Sequence, residues 1–341
     1  MIRYLVGIAI GVVVLVLLVG KRGELVAALH EFRHADYPWV AAAIGAEGLS
    51  LLGYAYLQRR ALLLSGARIA VPSLFLLTVA NDAISCSVPG EPAVSSAYRY
   101  RYYRRRGASG ASAGWTVFTV LIAQAMGMSV VLLLGVLIAL ASATTASAAG
   151  AAVLGFVIVL AATAVLVRRD LVLRLIEALV RGVRRVTGHP KGTVGERIES
   201  TLARMREIPL STRSTVAIVA LAAAVWLADF GCLLCSFGAV RAAVPWGDVL
   251  LAYGAAQVAG SLSFVPGGLG IVEGSLAVIL IAYGTDRVAA VSVALAFRLV
   301  SFWLAIALGW ACVAVIARQL RRSGPAGRPA GTSSSPARST G

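Results

Sequence analysis

Three residue patterns in this chain have the types and spacing to do chemistry. His30-Glu31-Phe32-Arg33-His34 is a literal H-E-x-x-H. On a helix it puts two imidazoles on one face to bind zinc, with Glu31 as general base. Cys232 and Cys235 form a C-x-x-C. The third is Val265-Pro266-Gly267-Gly268-Leu269-Gly270-Ile271-Val272-Glu273, a proline and three glycines inside an apolar stretch, with a carboxylate just beyond.

The first two patterns lack company. A zinc site needs a third protein ligand, and the remaining histidine, His189, sits in a strongly basic loop. The membrane-embedded zinc metalloprotease is therefore kept as the alternative, with a solvated connector as the bland reading of His30–His34. Cys232 and Cys235 lie in an apolar run, as do Cys86 and Cys312. Buried thiols acting as small hydrophobes account for them. No metal or other cofactor is expected.

The third pattern is different because of its surroundings. Of the 341 residues, 59% are hydrophobic and 13% charged, with mean hydropathy +0.85; soluble domains carry about 25% charged residues. Repeated long apolar runs predict an all-α, polytopic membrane protein. A broken backbone at bilayer depth leaves polar groups unpaired, which lipid cannot satisfy. A Gly/Pro-interrupted apolar segment therefore points to a binding site.

The net charge of +16 does not imply nucleic acid, because no basic domain exists to carry the phosphate contacts. The Lys and Arg instead cluster between apolar runs. Residues 168–213 hold eleven, Arg99–Arg106 five and the segment from Arg318 onward five. The positive-inside bias puts these in the cytoplasm, together with both termini. The Ser142–Gly150 turn, with none, goes outside.

Six full spans are expected, at about Tyr4–Val19, Tyr37–Leu57, Trp115–Ala141, a run ending at Val167, Thr215–Phe237 and Val288–Ala317. Tyr4–Val19 is read as a retained helix, since no small-x-small cleavage site follows it. Two interrupted segments, Ile69–Ala97 and Val249–Tyr283, read as broken or re-entrant hairpins entered from opposite sides. That predicts an inverted repeat. Residues 1–317 would be one membrane domain, with a first repeat at about 37–141 and a second at about 214–317. A linker at about 168–213 contains an amphipathic stretch from Asp170, and residues 318–341, rich in Ser, Pro, Gly and Arg, read as a disordered cytoplasmic tail.

Ionisable residues in or beside the spans are Glu47, Asp82, Glu91, Asp229, Glu273 and Arg298. Charge at that depth is costly, so such groups face a cavity or each other. Arg298 is the natural counter-charge to Glu273. The predicted site comprises Asn81, Ser85, Pro89, Gly90 and Glu91 from the first break. From the second come Gln257, Ser261, Pro266, Gly267, Gly268, Gly270, Glu273 and Arg298. Half-helix N–H groups after Pro266 suit an anion such as a lipid phosphate. The bland readings are tight packing by small residues and a structural Glu–Arg pair.

The Val265–Glu273 block and Arg298-Leu299-Val300-Ser301-Phe302-Trp303 resemble the lysylphosphatidylglycerol synthase transmembrane-region family, whose members are also called flippase-like domain proteins. Asn81 through Ser85 to Pro89-Gly90-Glu91 resembles the family's first-half segment more loosely, with Pro92 where a residue leading to an arginine is expected. Arg99 lies further on. The resemblance covers about Tyr4–Ala317. It implies a cell-membrane protein of lipid translocation, with membrane lipids of anionic or zwitterionic head group as partners. A non-transporting subunit, joined to another membrane protein or to a second copy, is the remaining class. The bifunctional members add a soluble aminoacyl-transfer domain; the sequence ends soon after its last apolar run, so lysyl transfer is not expected.

An accessible tag inserted at Ser147 should be labelled from outside the cell. Labelling from the cytoplasmic side alone would overturn this orientation.

Overall fold

The computed structural model describes residues 36–87, 91–142, 211–262 and 265–322. Every regular element among them is helical. They are α1 (Tyr37–Leu64), α2 (Val71–Ser87), α3 (Glu91–Arg105), α4 (Gly110–Ala141), α5 (Thr212–Val240), α6 (Val249–Ser261) and α7 (Ile271–Ala282). The last, α8, starts as Arg287–Arg298, passes through a π-helical stretch Leu299–Leu304 and continues as Ala305–Arg322. Among the described residues α1, α4, α5 and α8 are long and apolar enough to cross a membrane. The protein is therefore a multi-pass membrane protein. The other two expected spans, the His30–His34 pattern and nearly all of the 168–213 linker lie outside the described residues.

Helix ends follow local chemistry. Ser109 and Ser211 cap α4 and α5 by accepting from the Ser112 and Ser214 amides at 3.0 and 3.2 Å. Asp286 caps α8 through the amides of Val288 and Ala289. At the end of α5, Arg241 adopts a left-handed conformation with φ 59°.

Three boundaries differ from the hydropathy reading. α1 runs to Leu64, beyond Leu57, and carries Arg59 and Arg60 exposed on its last turns. The Tyr-Arg run after Ala97 is helical and belongs to α3, because Tyr102 and Tyr103 are buried against α1 and α2. α8 continues to Arg322, so the first residues assigned to the tail are helical. Hydropathy marks where lipid ends; arginine, glutamine and leucine are good helix formers and continue past that point.

Helix α1 packs along α5, α4 packs against α5 and α6, and α8 packs against α2. Small residues make these approaches. At Gly127 an added Cβ would lie 2.6 Å from the Ala222 carbonyl carbon of α5. At Gly135 it would lie 2.9 Å from the Leu251 amide nitrogen of α6, and at Gly309 2.4 Å from the Val79 carbonyl oxygen of α2. Leucine, valine and isoleucine on α1, α4 and α7 remain exposed, including Leu49, Leu137 and Val278. In this setting they form the lipid-facing surface.

The glycines separate into two kinds, and this is testable. Gly309→Ala should destabilise the detergent-solubilised protein by roughly 1–3 kcal/mol, because the opposing atom is backbone. Gly48→Ala on α1, with nothing within 4 Å, should be neutral or stabilising by up to about 1 kcal/mol. Equal melting temperatures for the two variants would contradict the close α8–α2 contact.

Candidate functional site

The second break is built by glycine. After α6, Pro266–Gly268 form one 3-10 turn, and Gly267 and Gly268 take φ 60° and 62°. Both values favour glycine. Space enforces the choice: a Cβ on Gly267 would lie 2.2 Å from Cε2 of Phe302, in the π-helical part of α8. On the other side, a Cβ at Gly268 would lie 3.0 Å from the Gly260 Cα of α6. Gly270, at φ 79°, then starts α7.

Several polar groups of this turn are satisfied from within the chain. The Gly268 amide donates to the Val265 carbonyl at 2.9 Å. The Gly270 amide donates to Glu273 Oε2 at 2.7 Å, the reciprocal half of a capping box. Glu273 Oε1 accepts from Arg298 Nε at 2.8 Å. Arg298 also donates from a terminal guanidinium nitrogen to the Gly267 carbonyl at 2.7 Å, and its guanidinium carbon stands 4.2 Å from the Phe302 ring centroid. Arg298 is buried and Glu273 half-buried, with side-chain exposures of 9% and 12%. One guanidinium thus holds α7, the broken turn and α8 together. The anion at the start of α7 is the chain's own carboxylate.

A second polar group lies among α1, α5 and α6. Asp229 Oδ2 accepts from the Tyr253 hydroxyl and, at 3.1 Å, from Gln257 Nε2. Glu47 of α1 lies near this group, and one of its oxygens is buried without a partner among the described residues. Near α3, Arg99 donates to the Tyr54 hydroxyl and lies over that ring. Tyr103 donates to Gln58 Oε1 at 2.5 Å, and Gln58 Nε2 donates to Thr78 at 2.6 Å.

The predicted site residues therefore divide. Pro266, Gly267, Gly268, Gly270, Glu273 and Arg298 are brought together. Asn81 and Ser85 lie on α2, which packs against the Pro266–Gly268 turn. Asn81 is buried, and its side-chain oxygen has no partner among the described residues. Ser85 bonds back to the Asp82 carbonyl. Gln257 belongs with Asp229 instead of the break. Ser261, at the end of α6, is exposed and donates to the Val258 carbonyl at 2.8 Å. Pro89 and Gly90 lie outside the described residues; Glu91 begins α3 in the backbone. Sequence reasoning missed Tyr253 and Phe302. The signal for Tyr253 was its i, i+4 spacing to Gln257 on a helix facing an intramembrane aspartate. For Phe302 it was the same spacing from Arg298.

Breaking one partner of a buried pair strands the other, at roughly 3–5 kcal/mol. Arg298→Leu should cost that much in thermal or denaturant unfolding of the solubilised protein. Glu273→Gln should cost less, since its amide oxygen still accepts from Gly270. The Glu273→Gln/Arg298→Leu double variant should be more stable than the sum of the single losses predicts. Strict additivity would show that the two side chains act separately.

No curated protein gives a significant match to this chain. A family model described as the lysylphosphatidylglycerol synthase TM region matches residues 4–309. Both blocks that meet at the Glu273–Arg298 pair fall inside that match, and so does every described helix up to the middle of α8. The chain belongs to the lysylphosphatidylglycerol synthase transmembrane-region family.

Proposed function

We propose that this protein moves a phospholipid or lipid-linked precursor, of anionic or zwitterionic head group, between the leaflets of the cell membrane. The observation that carries the reading is the buried Glu273–Arg298 pair locked onto a glycine-built break between apolar helices. Ionisable groups at such breaks mark substrate paths. Family membership supports the same reading.

In this proposal the head group docks between the two breaks, with Pro89, Gly90, Glu91 and Asn81 on one wall and Glu273 and Arg298 on the other. Glu273 stands where a lipid phosphate binds. When the pair opens, the phosphate takes Arg298 and the Gly270 amide, and Glu273 returns when the lipid leaves. Exchange of one anion for another keeps the arginine paired throughout, which limits the cost of opening. Ser85 and Ser261 supply further hydroxyls along the path, and Gln257 relays to Asp229.

The inverted repeat is part of the same proposal. The packing of α4 on α6 mirrors that of α8 on α2, and α1 pairs with its counterpart α5. This is the pairing expected when each repeat's long helix covers the other's hairpin. The reading carries six full spans, both termini in the cytoplasm, and one membrane domain over residues 1–317 with repeats at about 37–141 and 214–317.

The test is translocation of fluorescent phospholipids by purified protein in liposomes. Wild type should equilibrate the label between leaflets. Gly267→Leu and Gly268→Leu should abolish this, and Glu273→Gln should change the rate by about tenfold or more, the scale of a lost charged hydrogen bond. Wild-type protein that moves no candidate lipid faster than empty liposomes would sink the proposal.

A further inference from the structure

Away from the Glu273–Arg298 pair, α3 and the end of α8 enclose an open groove of about 570 Å³ lined by Ala93, Val94, Ala97, Tyr98, Arg101, Tyr102, Arg105 and Ile316. Its lining changes character along one direction. Val94, Tyr98, Arg101 and Arg105 follow at helical spacing on α3, apolar toward the break and cationic toward the helix's C-terminal end. Ile316 forms part of the facing wall, and Arg106 closes the basic end by donating to Gln319 of α8 at 3.1 Å.

The neighbouring arginines are already engaged. Arg99 is committed to Tyr54, Arg104 donates to the Ala108 carbonyl at 2.8 Å, and Arg106 stacks on Tyr102. Arg101 and Arg105 are exposed and have no acceptor among the described residues. From Val94 to Arg105 the helix rises about 16 Å, roughly half the ~30 Å hydrocarbon core. A groove of that length matches the depth of one leaflet, with both arginines toward one end.

We propose that this groove is a lateral binding site for an acidic phospholipid of the surrounding leaflet. One acyl chain lies along Val94, Ala97 and Ile316, and the phosphate sits on Arg101 and Arg105. The lining offers no carboxylate to repel it. The chain's own 168–213 linker is a poor occupant by charge, with eleven Lys/Arg against five Asp/Glu. The site is separate from the head-group position at the second break and does not depend on whether the protein translocates anything.

Native mass spectrometry of the detergent-purified protein tests it. The probes are phosphatidylglycerol and phosphatidylcholine with identical acyl chains. Wild type should bind phosphatidylglycerol saturably, about 30-fold tighter than phosphatidylcholine, from two interfacial arginines. Arg101→Gln/Arg105→Gln should erase that preference. Arg59→Gln/Arg60→Gln, which removes two exposed arginines from α1, should keep it. Ala97→Trp, which fills the apolar part, should weaken both lipids. The proposal falls if wild type shows no preference, if the α1 pair loses as much as the α3 pair, or if Ala97→Trp changes nothing.

Discussion

The described architecture turns on one guanidinium. Arg298 bonds the carboxylate of Glu273 and the carbonyl of Gly267 while lying on the face of Phe302. Without these partners the Pro266–Gly268 turn would leave a half-buried carbonyl and a half-buried carboxylate stranded. Glu273 in turn accepts the Gly270 amide, so the start of α7 and the middle of α8 share one network. The π-helical widening of α8 begins at Leu299, directly after this arginine. Such widenings recur where a helix serves a function beyond packing.

Packing around that network relies on missing side chains. Hydrophobic burial gives little drive between helices in lipid, so close van der Waals approach has to hold them. Gly127, Gly135 and Gly309 each bring a helix against a neighbour's backbone, Gly268 does the same against Gly260 at the break, and Gly260 leaves room for the Val272 side chain. Close contact leaves little room for adjustment, because packed interiors transmit strain. Rearrangement is easier where polar pairs, not packed backbones, are exchanged. The Glu273–Arg298 pair, the Asp229–Tyr253–Gln257 group and the Tyr103–Gln58–Thr78 chain are polar contacts of this kind among the described residues.

Much of this was legible in the residues. Four of the six expected spans fall in described residues as long apolar helices, since runs of that length have no other economical fate in a membrane. The pairing of Glu273 with Arg298 followed from the cost of isolated charge at depth. The extent of α3 was not legible, because Tyr98–Arg106 reads as a charged loop until Tyr102 and Tyr103 are seen buried beneath it. The partner of Gln257 was not legible either: its sequence position lies near the break, whereas its side chain donates to Asp229.

By itself, then, the sequence determined class, the locations of the breaks and the identity of the charged pair. These follow from hydropathy, from glycine and proline chemistry, and from the penalty on unpaired charge. Only the tertiary structure decided what the broken turn does with its donors. The sequence reading left the α7 start open for an external anion; the fold fills it with Glu273 through the Gly270 amide. It also decided that Phe302 closes over Gly267. Both depend on where α8 lies against the turn, and no local pattern encodes a distance between residues thirty positions apart in the chain.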